Sequence, residues 1–573
     1  GCPTCVYHFK SNNRTTSEEL TWQECMQSYQ DGNILTLSCP GEDIWTPSYA
    51  NEPEGQISKN GLLRGFSYPI LRIIETKFKT QLMCLRNVDH KDLTWNSRQF
   101  APGSEKWDDV VREATGMPPT GVCGNTPGEF WVTFDEAHQY FQSMTICRLY
   151  PADWRSCHQS EWKEIRRRGF FSYHDDVKDV NKRVQSNLYI LDVEKDVEAW
   201  ITMHQASNRA KVQSQFGMVD MGFTLLELNA SGEYVPVEGG YTGCAVAREQ
   251  MARVILSPGH YVLVPVSTGT KFFARSSRKT RDDASKGMRW GKEWEKNFVS
   301  LSQSIHKCLE EMFDRLDGDM DGLLSKQELD EFMLMSEGKP LDDETYQWLQ
   351  QNFTFDNGGL TCSGFVSLYN YMLDACNGDN RVLAKDLEFM GYNEKLQLKN
   401  AATFVFSIHY ISAADLNVTK VDFDKDAFDA GLELPIVRYG KSESLGATGL
   451  QLHSLKARGG WGISFVVTSA TDRTYIASID CHGSVNVDYH GGKMERHVSM
   501  MQGERRVIQH LMPIVESPWS WSYRMSWEAT TVGGSSGSIG GKKKPRRDTV
   551  VTSLLQARKN RPLEKAELNP GKK

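Results

Sequence analysis

The sequence predicts a multidomain α+β protein, with blocks of short strands on either side of one helical module. Three observations carry this. The chain has 573 residues, 39% hydrophobic and 24% charged, a length that calls for three to five domains with ordinary soluble cores. Short apolar runs such as Gln81 to Leu85, Phe130 to Phe134 and Phe404 to Ile408 are bounded by turn residues, as strands are. Between them Phe298, Leu301, Ile305, Leu309, Phe313 and Leu316 recur every three or four positions, which places them on one face of a helix. Lys and Arg number 66 against 73 Asp and Glu, a net charge of −7 that argues against a specific nucleic-acid protein. No run of 18 apolar residues exists to span a membrane. The 13 cysteines are scattered and odd in number, which reads as reduced thiols in an intracellular, cytoplasmic setting. The first residue is Gly rather than Met, and a fragment is expected.

Residues 1–146 form the first, mostly β unit. Three segments stand out: Gly61-Leu62-Leu63-Arg64-Gly65-Phe66-Ser67-Tyr68, Leu85-Arg86-Asn87, and Gly128-Glu129-Phe130-Trp131-Val132-Thr133-Phe134. Their order and wording resemble the second half of the protease core of the calpain family of calcium-dependent cysteine proteases. The resemblance implies a catalytic histidine at the position of Phe66, an orienting asparagine at Asn87, and a nucleophilic cysteine in an upstream half-domain with a Gly-x-Cys-Trp context absent from this chain. Phenylalanine has no nitrogen to hold a thiolate or protonate a leaving amine. The Pro-Trp that follows the asparagine in calpains is replaced by Val88 and Asp89, and His90 is the only imidazole nearby. Cys2, Cys5 and His8 suggest zinc or redox chemistry, but no second pair follows, so ordinary thiols are the expectation. The family's calcium site in this unit is eroded: Glu129 remains, Pro127 replaces an aspartate, and the loop around Thr94 and Pro102 lacks carboxylates, whereas calcium needs six to eight oxygens. Trp95, Trp107 and Trp131 are expected in the core.

Residues 147–275 resemble the calpain-type β-sandwich, closing on Leu256-Ser257-Pro258-Gly259-His260-Tyr261, where the Pro-Gly step predicts a hairpin. Asp175-Asp176-Val177-Lys178-Asp179 is an acidic loop, read as solvated, with ion binding as the alternative. Residues 276–295 are a linker.

Residues 296–399 hold the strongest motif, Asp317-Gly318-Asp319-Met320-Asp321-Gly322-Leu323-Leu324-Ser325-Lys326-Gln327-Glu328. It fits the EF-hand loop at every ligand position. Asp317, Asp319 and Asp321 offer side-chain oxygens, Leu323 its carbonyl, Ser325 a direct or water-mediated contact, and Glu328 a bidentate carboxylate, with Gly322 at the sharp turn. The expected cofactor is Ca2+. A partner loop, Phe353 to Gly364, keeps Gly358 and Leu360 but has Phe353 at its first position and Gly364 at its last, so it is expected to bind no ion. This region, with Leu387 to Tyr392, resembles the EF-hand and associated helices of mitochondrial Rho GTPases, in which a short ligand-like stretch packs on a hidden second loop.

Residues 400–528 read as a second sandwich-like domain with strands near Gly462 to Val467 and Ser484 to Tyr489. His482 and His490 beside Asp488 are expected on the surface, and Trp519, Trp521 and Trp527 on one strand face. Residues 529–573 are expected to be a disordered tail of Gly and Ser followed by Lys542-Lys-Lys-Pro-Arg-Arg547, a solvated segment or one that binds acidic lipid, cytoskeletal acidic tails, RNA or import machinery. Together these expectations describe a calcium-responsive scaffold with a degenerate protease core, with protein partners. The alternative is a calcium-dependent cysteine endopeptidase acting on protein substrates, its nucleophile domain lying upstream.

Overall fold

The computed structural model describes residues 3–9, 21–39, 61–63, 65–87, 95, 99–100, 104–116, 128–149, 162–174, 184–205, 218–229, 231–277, 301, 303–375, 381–393, 396, 398, 400–411, 416–457, 462–514, 521–531 and 539–541. The expectations placed on Cys2, His90, Thr94, Pro102, Pro127, Asp175 to Asp179, Trp519 and Lys542 to Arg547 lie outside the described residues.

The first unit is a six-stranded antiparallel sheet. Its strands are β1 (Thr4–His8), β2 (Ile34–Ser38), β3 (Ser67–Glu75), β4 (Gln81–Arg86), β5 (Glu129–Thr133) and β6 (Ser143–Cys147), in the order β1-β6-β2-β3-β4-β5. Helices α1 (Trp22–Gln30), α2 (Asp109–Thr115) and α3 (Phe134–Tyr140) flank it. Strand β5 turns directly into α3 because Thr133 and Glu136 form a reciprocal capping box, which satisfies two of the orphan amides of the helix start. The three tryptophans are buried, as expected of a core, but on different faces. Trp95 joins the main cluster around Leu37, Tyr68 and Phe141, while Trp107 and Trp131 form a second cluster with Phe100. The Arg72 guanidinium lies 4.9 Å over the Trp131 ring.

The next unit is a sandwich of two five-stranded sheets, and here the strand pairing departs from the expected boundaries. Strands β7 (Trp162–Tyr173), β8 (Val184–Gln185), β9 (Leu188–Val193), β10 (Val197–Gln205), β11 (Gly222–Leu228), β12 (Tyr234–Tyr241), β13 (Glu249–Leu256) and β14 (Gly259–Val266) come from the expected segment. Its strands pair with two more, which follow the helical module. Numbering in chain order past the three short strands of that module, these are β18 (Ala401–Ile411) and β19 (Leu416–Val421). The sheets run β13-β10-β18-β7-β8 and β12-β11-β14-β9-β19. Residues 401–421 thus belong with the first sandwich, and the boundary at residue 400 is displaced. The physical reason is burial: Phe404, Phe406 and Ile408 are each 1% exposed between the two sheets, and burying each stabilises by about 1.5–3 kcal/mol. The expected hairpin at Pro258 is also corrected. Strand β13 pairs with β10, and β14 with β11 and β9, so Ser257 and Pro258 carry the chain from one sheet to the other. Past β14, α4 (Thr270–Ser277) occupies the first two positions assigned to the linker.

The helical module is therefore an insertion in the sandwich. It contains α5 (Gln303–Leu316), β15 (Leu323–Leu324), α6 (Lys326–Glu337), α7 (Asp343–Asn352), β16 (Phe355–Asp356), β17 (Gly359–Thr361), α8 (Cys362–Ala375) and α9 (Arg381–Phe389). Leu309, Met312, Phe313, Phe332, Phe365, Leu387 and Met390 form its core.

Helix α10 (Lys425–Tyr439) lies between the two sandwiches. Phe428 and Ile436 share one core with Val264 of the first and Val466, Val507 and Met512 of the second. A methyl on Gly431 would lie 2.9 Å from Val264, so the helix backbone packs against β14. The second sandwich pairs β20 (Lys441–Ser444), β21 (Leu450–Lys456), β22 (Ile463–Ser469), β23 (Tyr475–Asp480), β24 (Val487–Tyr489), β25 (Glu495–Met500), β26 (Arg505–Pro513), β27 (Ser526–Thr531) and β28 (Ile539–Gly541) in sheets β20-β21-β22-β26-β24 and β25-β23-β27-β28. Strand β28 pairs with β27, so residues 539–541 are part of the sheet rather than of a tail. Trp521 is buried ahead of β27 and Trp527 is within it, so the two do not share a strand. His482 is exposed as expected, but His490 is buried, 4.9 Å from the His510 ring. No helix among the described residues is long and apolar enough to cross a membrane.

Candidate functional site

Two sites were expected, and the fold builds each from adjacent elements. In the first unit β3 and β4 are antiparallel neighbours, with Ile70 opposite Leu85 and Glu75 opposite Gln81. Phe66 immediately precedes β3 and Asn87 immediately follows β4, so both lie at one end of this pair. Asn87 is 2% exposed, and its amide donates to the Gly128 carbonyl at 2.8 Å, next to Glu129 on β5. The Phe66 ring packs edge-on against Tyr68 at 4.9 Å, and Tyr68 in turn against Phe130 at 5.6 Å. The Tyr68 hydroxyl accepts from the Leu63 amide, and burial raises its pKa. The topology places Phe66 and Asn87 at the same end of the β3–β4 pair. Phe66 is one aromatic ring among several, with no proton to give.

The acidic loop lies between α5 and α6. Carboxylate oxygens of Asp317, Asp319 and Asp321 lie within 4.8 Å of one another. The backbone that gathers them is local. Asp317 Oδ2 accepts from the Gly322 amide at 3.2 Å, Asp319 Oδ1 from Asp321 at 3.2 Å, and Asp321 Oδ1 from Leu323 at 2.8 Å. Gly322 has φ of 85°, which glycine alone adopts at no cost, and Met320 has φ of 64°. Glu328 stands outside the three-carboxylate cluster. Its Oε1 accepts from the Gly318 amide at 2.7 Å and its Oε2 from the Ser325 amide at 2.9 Å, so it closes the loop and caps α6 with Ser325.

Asp317 decides what the loop can hold. It is 3% exposed, and its Oδ1 is buried with no hydrogen-bond partner. Desolvation raises its pKa, against hydrogen bonds from the loop and the nearby Arg168 charge. A buried carboxylate oxygen left without a donor is costly, and a divalent cation supplies what it lacks. The donor set is all oxygen, as calcium prefers. Leu324 pairs with Leu360 of the second loop, and Leu323 with Thr361, so the two loops are joined. The second loop closes on its own backbone. Phe355 pairs with Leu360 across Asn357 and Gly358, whose φ angles of 44° and 86° form a tight turn, and the Thr361 amide and hydroxyl both donate to the Thr354 carbonyl.

Sequence reasoning missed the sandwich's contribution. The Arg168 amide of β7 donates to the Gly318 carbonyl at 2.8 Å. Its guanidinium reaches the Asp314 carbonyl, lying 3.8 Å from Asp314 Oδ1 and 3.9 Å from Asp317 Oδ2. Lys420 of β19 pairs with Glu331 of α6 at 2.5 Å. No local pattern announces these contacts. The run Arg166-Arg167-Arg168 reads as a solvated face until the insertion is recognised.

Residues 3–148 match the calpain family cysteine protease model. The chain is 27% identical over 253 residues to "EF-hand calcium-binding domain-containing protein 7" of Xenopus laevis, covering 44% of this chain and 38% of that protein. The human protein of the same name is 30% identical over 154 residues, covering 27% and 24%. Mouse "Calpain-5" is 23% identical over 231 residues, covering 36% of each. The chain thus carries a calpain-like domain and is similar to EF-hand calcium-binding proteins, while it spans well under half the length of these relatives.

Proposed function

We propose that the protein is a calcium-binding, calpain-related scaffold whose protease core has lost peptide hydrolysis. The observation that carries the inert half is Phe66, an aromatic ring just ahead of β3, at the same end of the β3–β4 pair as Asn87. The calcium half rests on the orphaned Oδ1 of buried Asp317 beside Asp319 and Asp321, in a loop that Glu328 closes. Calcium, when bound, supplies a divalent charge and a fixed coordination shell. The chain supplies the oxygens, with Asp317, Asp319 and Asp321 approaching from one turn and Glu328 from α6. The Leu324–Leu360 pairing carries any change to the second loop. That loop has no ligand role and acts as a mechanical partner. Leu387 and Met390 pack in the module core, which supports reading α9 and its C-terminal turn as a built-in ligand helix of the kind that the resemblance to mitochondrial Rho GTPases implies. Buried thiols at Cys5, Cys25, Cys244 and Cys481 suit a reducing, cytoplasmic location. Protein partners are the expected ligands of the scaffold, with acidic lipid or cytoskeleton as targets of the basic segment.

The test is twofold. Calorimetric titration of the full chain should show one calcium site that Glu328→Gln removes, and an unchanged titration in that variant sinks the assignment. A quenched-fluorescence casein assay with calcium, run on the natural full-length protein, should show no turnover. The second reading, a working calcium-dependent cysteine endopeptidase whose nucleophile domain lies upstream, is favoured by the buried, retained Asn87. Turnover in that assay, abolished by Asn87→Ala, would establish it.

A further inference from the structure

The helical module is held to its host sandwich at the calcium loop itself. Strand β7 enters through Arg168, whose amide bonds Gly318 and whose guanidinium spans Asp314 and Asp317, at the end of α5 and the first loop position. Strand β19 contributes Lys420, which pairs with Glu331 on α6. The Lys420 Nζ also stands 3.7 Å from the place a methyl on Gly318 would occupy. Both helices flanking the loop are thereby tied to the sandwich by cations. Arg168 lies opposite Val405 on β18, the strand by which the chain returns from the module, and β19 follows that strand.

We propose that Arg168, from outside the loop, sets the calcium affinity of this site by competing with the ion for Asp317. The inference rests on the calcium reading above and names its regulation. The argument is charge placement. The Arg168 side chain is 16% exposed and that of Asp317 5%, so water screens their interaction only in part. Oδ2 of Asp317 faces Arg168 and the Gly322 amide, while the unpartnered Oδ1 is open to a cation. A calcium ion bound through Asp317 then sits within a few ångströms of a guanidinium of like sign. Occupancy weakens the hold of Arg168 on the loop, and by reciprocity that hold weakens calcium. The site is tuned by the sandwich on which it is mounted.

The test is calcium titration by calorimetry on the full chain, comparing wild type, Arg168→Gln, Arg168→Lys and Glu328→Gln. Arg168→Gln is expected to bind about tenfold more tightly at low ionic strength, and the advantage should shrink at high salt as screening removes the repulsion. Arg168→Lys keeps the charge and should stay near wild type. A purely structural role, in which Arg168 merely braces the loop, predicts the opposite sign: weaker binding in Arg168→Gln, which overturns the proposal, as does unchanged affinity. If Arg168→Gln does not fold, Lys420→Gln carries the same test and should bind about threefold more tightly; equal or weaker binding there also overturns it. Wild-type binding that Glu328→Gln abolishes but Arg168→Gln leaves unchanged refutes this inference alone. No binding in wild type refutes the calcium reading with it.

Discussion

The sandwich is completed by chain that follows an inserted module, and Phe406→Ala tests this directly. Phe406 is 1% exposed, with ring centroids 5.4 Å from Phe404, 5.5 Å from Tyr189 and 5.6 Å from Phe223. It lies opposite Met203 on β10 and Arg167 on β7, at the centre of its sheet. Truncating a buried Phe costs about 3–5 kcal/mol in transfer and cavity terms, and three aromatic pairs place this site toward the upper end. Because a chain of several domains does not unfold in one step, the readout is local amide hydrogen exchange rather than a single midpoint. A loss near 4 kcal/mol corresponds to roughly a thousandfold drop in protection, expected in Leu188–Val193 and Val197–Gln205 although they lie some 200 positions earlier in the sequence. If those amides keep wild-type protection while Ile463–Ser469 loses it, β18 belongs to the second sandwich and the topology described above is wrong.

Three further outcomes follow. Restoring carboxylates to the second loop with Phe353→Asp and Gly364→Glu should not create a second calcium site. A Cβ at Gly364 would lie 2.4 Å from the Thr354 carbonyl and 2.7 Å from Leu360, so the double variant should lose stability and still titrate one ion; two ions would refute this. Gly169→Ala should destabilise the first sandwich by more than about 2 kcal/mol in urea unfolding, since the added methyl would sit 2.4 Å from the Tyr189 hydroxyl and 2.6 Å from Phe404; a neutral effect would refute it. Burial, with Arg496 adding to it, lowers the His510 imidazole from 6.5 to about 3. The unfolded chain therefore binds a proton below pH 6.5 that the folded chain refuses, so this group erodes stability by about 1.4 kcal/mol per pH unit from there down toward 3. His510→Gln should flatten that acid limb, and an unchanged slope between pH 6.5 and 4.5 would show that other groups set it.

The calcium loop was legible because its chemistry is consecutive: twelve residues carry every ligand, the turn glycine and the inter-loop leucine. Phe66 and Asn87 stand out only by likeness to a family motif, and the β3–β4 pairing places both at one end of a hairpin, which sequence spacing could not show. What stayed hidden was long-range. Strand β18 has the same alternating pattern whichever sandwich it joins, and nothing local says that its neighbours are β7 and β10. Pro258-Gly259 reads as a hairpin because the turn chemistry is right, yet a sandwich corner uses the same residues to change sheets. His490 follows an exposed-looking turn and is buried by its contact with His510, across a strand more than a dozen residues away.

Insertion changes what the calcium loop can report. A module joined by a free linker would bind its ion with little consequence for its host. Here the chain leaves the sandwich after β14 and returns as β18, a central strand, while β7 and β19 grip the two helices on either side of the loop. The second loop, with its tight Asn357-Gly358 turn, offers the first a wall through Leu360, which pairs with Leu324. On the proposed calcium reading, rearrangement on ion binding is directed toward the Arg168 and Lys420 contacts rather than toward an opening between the two hands, and the element that calcium biases is the seat of the module on the sandwich. On the proposed reading the core keeps Asn87 but carries a phenyl ring at Phe66, so the consequence of loading is read by whatever docks on these surfaces rather than by proton transfer.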